Sequence, residues 1–497
     1  MPRKMKPAAA MGAGRGSQKR HCSAALSLLV LMISATLAFG AYAVFFPGPA
    51  AGGAASGGLR QWWTAGGGGV ARAPTSLSHI VFGIGGTART WSHRRGYEPR
   101  GAPWPAATSP PYRVSADASR FGRRASASRM ARIVADAFAL AAAAAANGTG
   151  GGEVRWFVMG DDDTVFFPDN LVAVLRRYDH EQAYYVGAPS ESVAQDMQHS
   201  YGMAFGGGGF AVSYPAAAEL AGIIDGCLER YRDLYGSDER VHACLSELGI
   251  PLTREPGFHQ MDIHGDAYGL LAAHPVAPLV SLHHLDLIQP ISPHGRTPLD
   301  AVRSLVDAAQ LDPARSLQQA FFYHHDGGGP GGGSYTWSVS VAWGYAAQLY
   351  PWAVPAHQLE VPLQTFKAFR GRTDGPFLFN TRPWRPDDAC ARPVTFFLSQ
   401  ARNETDGATT AAAAATVTEY LRHAGGKSPE KECDKPSFRS AAAVQTVRIL
   451  APKMSPAEWE RAPRRHCCET AWTTPGSVLE VRIGRRCRGG DLTASTP

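Results

Sequence analysis

The chain is predicted to fold as an α/β protein behind a single N-terminal transmembrane helix. Three observations predict this. Short apolar runs alternate with helix-patterned stretches over residues 78–295. One of these runs, Trp156–Met159, is apolar at every position, as a strand covered on both faces requires. Ala24–Phe46 is an uncharged run of 23 residues. As a helix it would be ~35 Å long, against ~30 Å of bilayer hydrocarbon.

The elements follow in chain order. Residues 1–23 form a basic tail, with Arg3, Lys4, Lys6, Arg15, Lys19 and Arg20 ahead of the apolar run. That asymmetry places the N-terminus in the cytosol and the rest of the chain in the lumen. The rival reading of 24–46 is a cleaved signal peptide, because AFGAYA offers small residues at a suitable spacing. Residues 47–77, rich in Gly, Ala and Pro, read as a flexible stem. SHIVFGIGG, from Ser78, is the first strand and its turn. Met130–Ala146 is Ala-rich and helix-favouring, with Asn147-Gly148 as its stop.

After the strand at Trp156, residues 168–178 read as a helix with Leu171, Val174, Leu175 and Tyr178 on one side. Residues 183–186 and 210–213 read as strands, the second after the Gly206–Gly209 turn. A helix is expected over 215–235, and another capped by Ser237 and ending at Gly249. The remainder, 296–497, contains a low-complexity loop, GGGPGGG at 327–333, followed by strands near 334–341 and 395–398. It holds five of the eight cysteines and reads as a second, disulfide-stabilised region.

Hydrophobic content of 44% supports a sizeable core, and the net charge is +7. No Asp or Glu precedes Glu98. The basic excess therefore partly reports the tail rather than a nucleic-acid surface, and no nucleic-acid motif is present. Beyond Cys22 at the membrane edge, seven cysteines fit an oxidising lumen, with one left free or paired between chains. Cys467-Cys468 reads as structural. Asn147-Gly148-Thr149 and Asn403-Glu404-Thr405 are glycosylation acceptors in that compartment.

WFVMGDDDTVFFPDN carries the chemistry. A buried strand runs straight into Asp161, Asp162 and Asp163. Ligands collect at the carboxyl ends of strands in open α/β sheets. Adjacent carboxylates repel unless a cation compensates them, and Mg²⁺ and Mn²⁺ are held by carboxylates together with substrate phosphates. A nucleotide diphosphate is the natural companion. The plainer reading is a solvated acidic turn that caps the next helix.

The ordered series WFVMGDDDTVFFPDNL, YYVGAPSES, YGMAFGGGGFAVSYP and SDERVHACLSELGIPLTREPGFHQMDIHGD resembles the fringe-type β-1,3-glycosyltransferases. With WSVSVAWGYAAQLYPW, PFLFNTRP, RPVTFFL and RRHCCE it resembles the plant fringe-related branch, which has a conserved C-terminal region of its own. The likeness covers roughly 78–490. One departure follows FGIGGTARTWSHRRGYEP, where the family's next helix and strand are missing.

The resemblance implies a GT-A-like mixed sheet and a type II Golgi enzyme. It implies a UDP-sugar donor, Mn²⁺ (or Mg²⁺), and inverting transfer of a hexosyl unit to a glycan or glycoconjugate hydroxyl. It places the metal on Asp163 and on a histidine that PGFHQ matches with His259. Asp161 and Asp162 would shape the nucleotide site. The Pro-Asp-Asp base of the family corresponds to Ser237-Asp238-Glu239, which leaves Asp238 and Glu239 both open. Gly207, Gly208 and Gly209 would allow close approach of substrate. Each assignment has a bland rival: acids in a helix's first turn, one histidine among 17, a loop in a Gly-rich chain. The alternative function is a catalytically inactive lumenal glycan-binding protein on the same fold, and a metal-dependent phosphohydrolase is a further rival.

Overall fold

The computed structural model describes residues 73–86, 90, 113–149, 152–273, 278–293, 297–325, 335–369, 375–404, 415–423, 433–461, 466–473 and 477–486. The expected anchor, nearly all of the stem, the GGGPGGG loop, Cys22 and Cys487 lie outside them. Among the described residues no helix is long and apolar enough to cross a membrane.

The first sheet is mixed and has five strands: Ile80–Gly85 (β1), Trp156–Asp161 (β2), Tyr185–Gly187 (β4), Phe210–Ser213 (β5) and Leu252–Arg254 (β6), in the order β1-β2-β5-β4-β6. β1 and β2 run parallel, as do β4 and β6, while β5 is antiparallel to both of its neighbours. The β1–β2 crossover carries helix α1, Ala125–Ala146, which stops at Gly148 in the left-handed region (φ 63°) as the Asn-Gly signal anticipates.

Alternation along β2 explains its unbroken apolarity. Phe157 and Met159 face α1, Tyr214–Arg230 (α4) and Ser237–Glu247 (α5), packing on Val134, Leu220, Ile224 and Val241. Trp156 and Val158 face the opposite side, against Leu171, Val174 and Leu175 of Pro168–Leu175 (α2). Both faces are covered, so neither set of positions can be polar. Val193–Gln198 (α3) lies between β4 and β5 in the chain.

Several boundaries differ from the sequence reading: α1 begins at Ala125 rather than Met130, and α2 ends at Leu175 rather than Tyr178. α4 ends at Arg230 rather than near 235, and α5 has Gly236 as its N-cap with Ser237 as its first helical residue. Buried Arg240 accounts for the break: its Nη2 donates to Arg232 O (3.0 Å) and Leu234 O (2.9 Å), carbonyls that leave the helical path to meet it. The Glu239 carboxylate, not a serine hydroxyl, accepts the Gly236 N–H (2.9 Å).

The second sheet has eight strands, in chain order Gln319–His325 (β10), Tyr335–Ala342 (β11), Ala346–Tyr350 (β12), Val394–Asn403 (β16), Ala415–Arg422 (β17), Thr446–Pro452 (β18), His466–Thr473 (β19) and Val478–Arg486 (β20). Its edge strands meet where His324 Nδ1 lies 3.0 Å from Thr470 Oγ1. One apolar core is shared across residue 295: Phe167, Leu271 and Leu282 pack with Leu305, Tyr345 and Phe397.

Cys227–Cys244 ties α4 to α5, and Cys390–Cys433 closes a loop between β16's approach and β18's. Among the described cysteines the Cys468 thiol is free. Replacing Cys227 and Cys244 together by Ala should lower stability by about 2–4 kcal/mol, since the bridge spans 17 residues of unfolded-chain freedom and both sulfurs are buried. A denaturant midpoint equal to that of the wild type would show that core packing alone holds α5.

Candidate active site

Three short strands assemble the site beyond the end of β2. Val165–Phe166 (β3) pairs antiparallel with Ser281–Leu282 (β9), and β9 pairs parallel with Phe258–His259 (β7). The β3–β9 pairing brings the residues just before Val165 opposite those just after Leu282. Buried Asp163 therefore meets His283: Asp163 Oδ1 lies 3.0 Å from His283 Nε2. Asp163, His283 and His284 offer ligand atoms all within 4.8 Å of one another. His284 adopts φ 56° and its ring lies against that of His283, tilted by 31°, with ring centroids 3.5 Å apart.

The donor chemistry of this group fits a divalent cation. His283 Nδ1 lies 3.0 Å from the carbonyl of Gln260, which can only accept, so Nδ1 carries the proton. Nε2 is left with its lone pair facing a carboxylate oxygen. Two acceptors face each other there, and either a proton or a cation must sit between them. In the metal-free protein burial lowers the His283 pKa, but the hydrogen bond and charge of Asp163 outweigh this and raise it. Two imidazoles and a carboxylate are ligands that divalent first-row metals accept.

Asp161 ends β2 beside Gly85 and lies 3.9 Å from His283. Burial, opposed by His283 and reinforced by its acidic neighbours, pushes its pKa up to about 6. Asp162 takes its N–H to Gly85 O (2.9 Å), and its carboxylate lies where a side chain at Gly86 would stand.

The glycine run is packed against this framework. A Cβ on Gly207 would come within 2.1 Å of the His283 ring. Gly208 N donates to Gln260 Oε1 (2.6 Å), and its carbonyl accepts from Ser281 Oγ. Gly209 needs its freedom at φ 83°. Thr164 Oγ1 donates to Gly207 O and accepts from Asp161 N, both at 2.7 Å, so the acidic turn and the glycine turn are stitched together.

Asp238, Asp161, Gly206 and Gly85 line one small cleft. Asp238 accepts from Gly206 N (3.0 Å) and Glu239 N (2.9 Å), and burial, outweighing these bonds, raises its pKa. Glu239 is engaged elsewhere. Its Oε1 lies 2.6 Å from His199 Nδ1, and its Oε2 caps α5.

His259 stands apart from the Asp163 group, with its Nδ1 3.1 Å from Glu191 Oε1. Glu191 also accepts from Met261 N (2.7 Å), and Leu378 N donates to the Glu191 carbonyl (3.0 Å). His283, His284 and Gln260 were missed by sequence reasoning. The available signal was VSLHHLD, an apolar run ending in side chains that can ligate a metal, as WFVMGDDD does.

Next to Glu191, Ser190 joins two buried acids, donating its N–H to Asp196 Oδ1 (3.0 Å) and its hydroxyl to Asp262 Oδ2 (2.7 Å). Burial first, then neighbouring carboxylates, push Asp196 up to about 6 from 3.8. The folded state thus binds more protons than the unfolded one between these values, and this contribution to stability grows as pH falls from 6 to 4. Asp196→Asn should flatten that rise, seen as a smaller change in denaturant midpoint across the window. An identical pH dependence would remove Asp196 from the linkage.

Two family models match the chain. The fringe-like model covers residues 118–268, and the model described as a protein of unknown function, DUF604, covers residues 195–468. No curated protein matches the chain. The fringe-like match contains the acidic strand end, the glycine turn and Asp238, while the second match runs on through His283 and into the eight-stranded sheet. A fringe-like domain continued by a DUF604 region places this chain in the plant fringe-related glycosyltransferase family.

Proposed function

We propose that the protein is a single-pass type II Golgi enzyme with a GT-A-like sheet. It transfers a hexosyl unit from a UDP-sugar to a glycan hydroxyl with inversion, its catalytic part lumenal. The observation that carries this reading is the pairing of Asp163 with His283, next to Asp161, which lines a cleft together with Asp238. Asp163, His283 and His284 would hold the metal. When bound, Mn²⁺ or Mg²⁺ would neutralise the diphosphate and make UDP a better leaving group.

The chain's own groups do the rest. Gly207 leaves room for the His283 ring, and Gln260 fixes its tautomer. Asp161 and Asp162 border the nucleotide side. Inversion needs one base near the acceptor oxygen. Asp238 is better placed than Glu239, because it lines the cleft and Glu239 is spent on His199 and the α5 cap.

Calorimetric titration of UDP into the full chain in detergent, with Mn²⁺ and with chelator, tests the donor site. Mn²⁺-dependent binding lost in Asp163→Asn supports it. No binding by a folded protein would sink the enzyme reading and favour the inactive glycan-binding alternative.

A further inference from the structure

We infer that Phe369, which the C-terminal region supplies, is a positioning residue for the candidate metal group and acts through the His284 ring. This rests on the metal reading above and gives the DUF604 region a part in the donor site. His284 holds φ 56°, a conformation few residues other than glycine adopt, in a turn where Leu287 N donates to His284 O (2.9 Å). Its ring meets two others. The His283 centroid is 3.5 Å away, and the Phe369 centroid is 5.3 Å away with the planes at 36°. Phe369 carries no ligand atom. It offers a flat apolar surface that limits the directions the imidazole can take. Ligands that cannot turn away lose less freedom when a metal binds, so the residue that restrains them strengthens the site.

The backbone explains why Phe369 arrives at this ring. Phe366–Ala368 (β14) pairs antiparallel with Ile263–Gly265 (β8), Ala368 standing opposite Ile263. The pairing continues one step further, where Phe369 N donates to Asp262 O (3.0 Å). Two residues before Asp262, the Gln260 carbonyl accepts from His283 Nδ1. Residues 260–265 thus hold both imidazoles, His283 directly and His284 through the strand that carries Phe369. The start of that strand is anchored in packing. Phe366 is buried, with its ring centroid 5.0 Å from that of Phe377 and 6.3 Å from that of Phe379. Just ahead of it, Thr365 Oγ1 accepts from Gly269 N (2.9 Å). Phe369 lies a hundred residues beyond the end of the fringe-like match at 268. The DUF604 region is therefore no appended module, because it supplies the surface against which His284 is set.

Binding of Mn²⁺ to the full chain in detergent, followed by the EPR signal of free Mn²⁺ with and without UDP, tests this. Phe369→Ala should weaken Mn²⁺ binding about tenfold, the lower end of what a residue that orients a metal ligand is worth. Phe369→Leu keeps apolar bulk without the flat ring and should also weaken it, whereas Phe369→Tyr keeps the ring and should bind like the wild type. In a His284→Ala background Phe369→Leu should have no further effect, because the ring it acts through is gone. A leucine variant that binds Mn²⁺ like the wild type, a tyrosine variant as weak as the leucine one, or a loss that persists in the His284→Ala background would overturn the inference and leave Phe369 as packing alone. Wild-type protein that binds Mn²⁺ under neither condition would overturn the metal reading and the inference with it.

Discussion

His283→Ala is expected to reduce Mn²⁺-dependent UDP binding at least hundredfold, while His259→Ala changes it by less than about threefold. The contrast follows from where the two rings sit. His283 is the group whose Nε2 faces Asp163 Oδ1 at 3.0 Å and whose Nδ1–H is fixed by Gln260 O. His259 spends its Nδ1 on Glu191. Removing the His283 ring leaves Asp163, a buried carboxylate, with His284 as the remaining imidazole of the group. Removing the His259 ring disturbs Glu191 and the segment it anchors, so stability is expected to fall instead. Gly207→Ala is an independent handle on the same ring, since its Cβ would stand within 2.1 Å of the imidazole. It should lower UDP affinity by displacing the ring, with every candidate ligand residue still in the sequence. Calorimetry on the variants, with chelator controls, decides the matter. Equal loss in both histidine variants would mean the metal is held by neither geometry described above.

The same comparison shows how far the sequence could be read. β2 was legible because burial on both faces forces apolar residues at every position, and Trp156–Met159 obeys. α1 was legible because its Ala-rich run ends on Asn147-Gly148. The partner of Asp163 was not, because β7 and β9 are two residues long. No periodicity marks so short a strand, and only the long-range pairing of β3, β7 and β9 tells which histidine meets Asp163. The parallel register sets His259 opposite Leu282, one residue short of His283. The end of α4 was lost for a similar reason: Arg240, buried and distant in the helix that follows, draws the carbonyls of Arg232 and Leu234 out of line. In the eight-stranded sheet only two strands were read. Elsewhere β20, VLEVRIGRR, alternates apolar with charged residues, but its Arg and Glu content resembles a solvated face.

Asp238→Asn is expected to lower the turnover of sugar transfer by about 10²–10⁴, the usual worth of a positioned base, with UDP affinity unchanged. Asn keeps the shape and can still accept the Gly206 N–H, giving up the bond from Glu239 N together with the ability to take a proton. The pH profile gives a second readout. A base works ionised, and burial raises the Asp238 pKa above the ordinary carboxylate value. The acidic limb of kcat/KM should therefore rise with pH at a higher value than a solvated aspartate would give, and Asp238→Asn should abolish that limb. Glu239→Gln separates the two acids. Its carboxylate holds His199 and caps α5, so the variant should lose stability and keep the pH limb. A limb that survives in Asp238→Asn but vanishes in Glu239→Gln would move the base to Glu239 and make Asp238 the residue that fixes Gly206. Such an outcome would also require the His199–Glu239 bond to open when the acceptor binds, freeing Glu239 Oε1 for the acceptor hydroxyl.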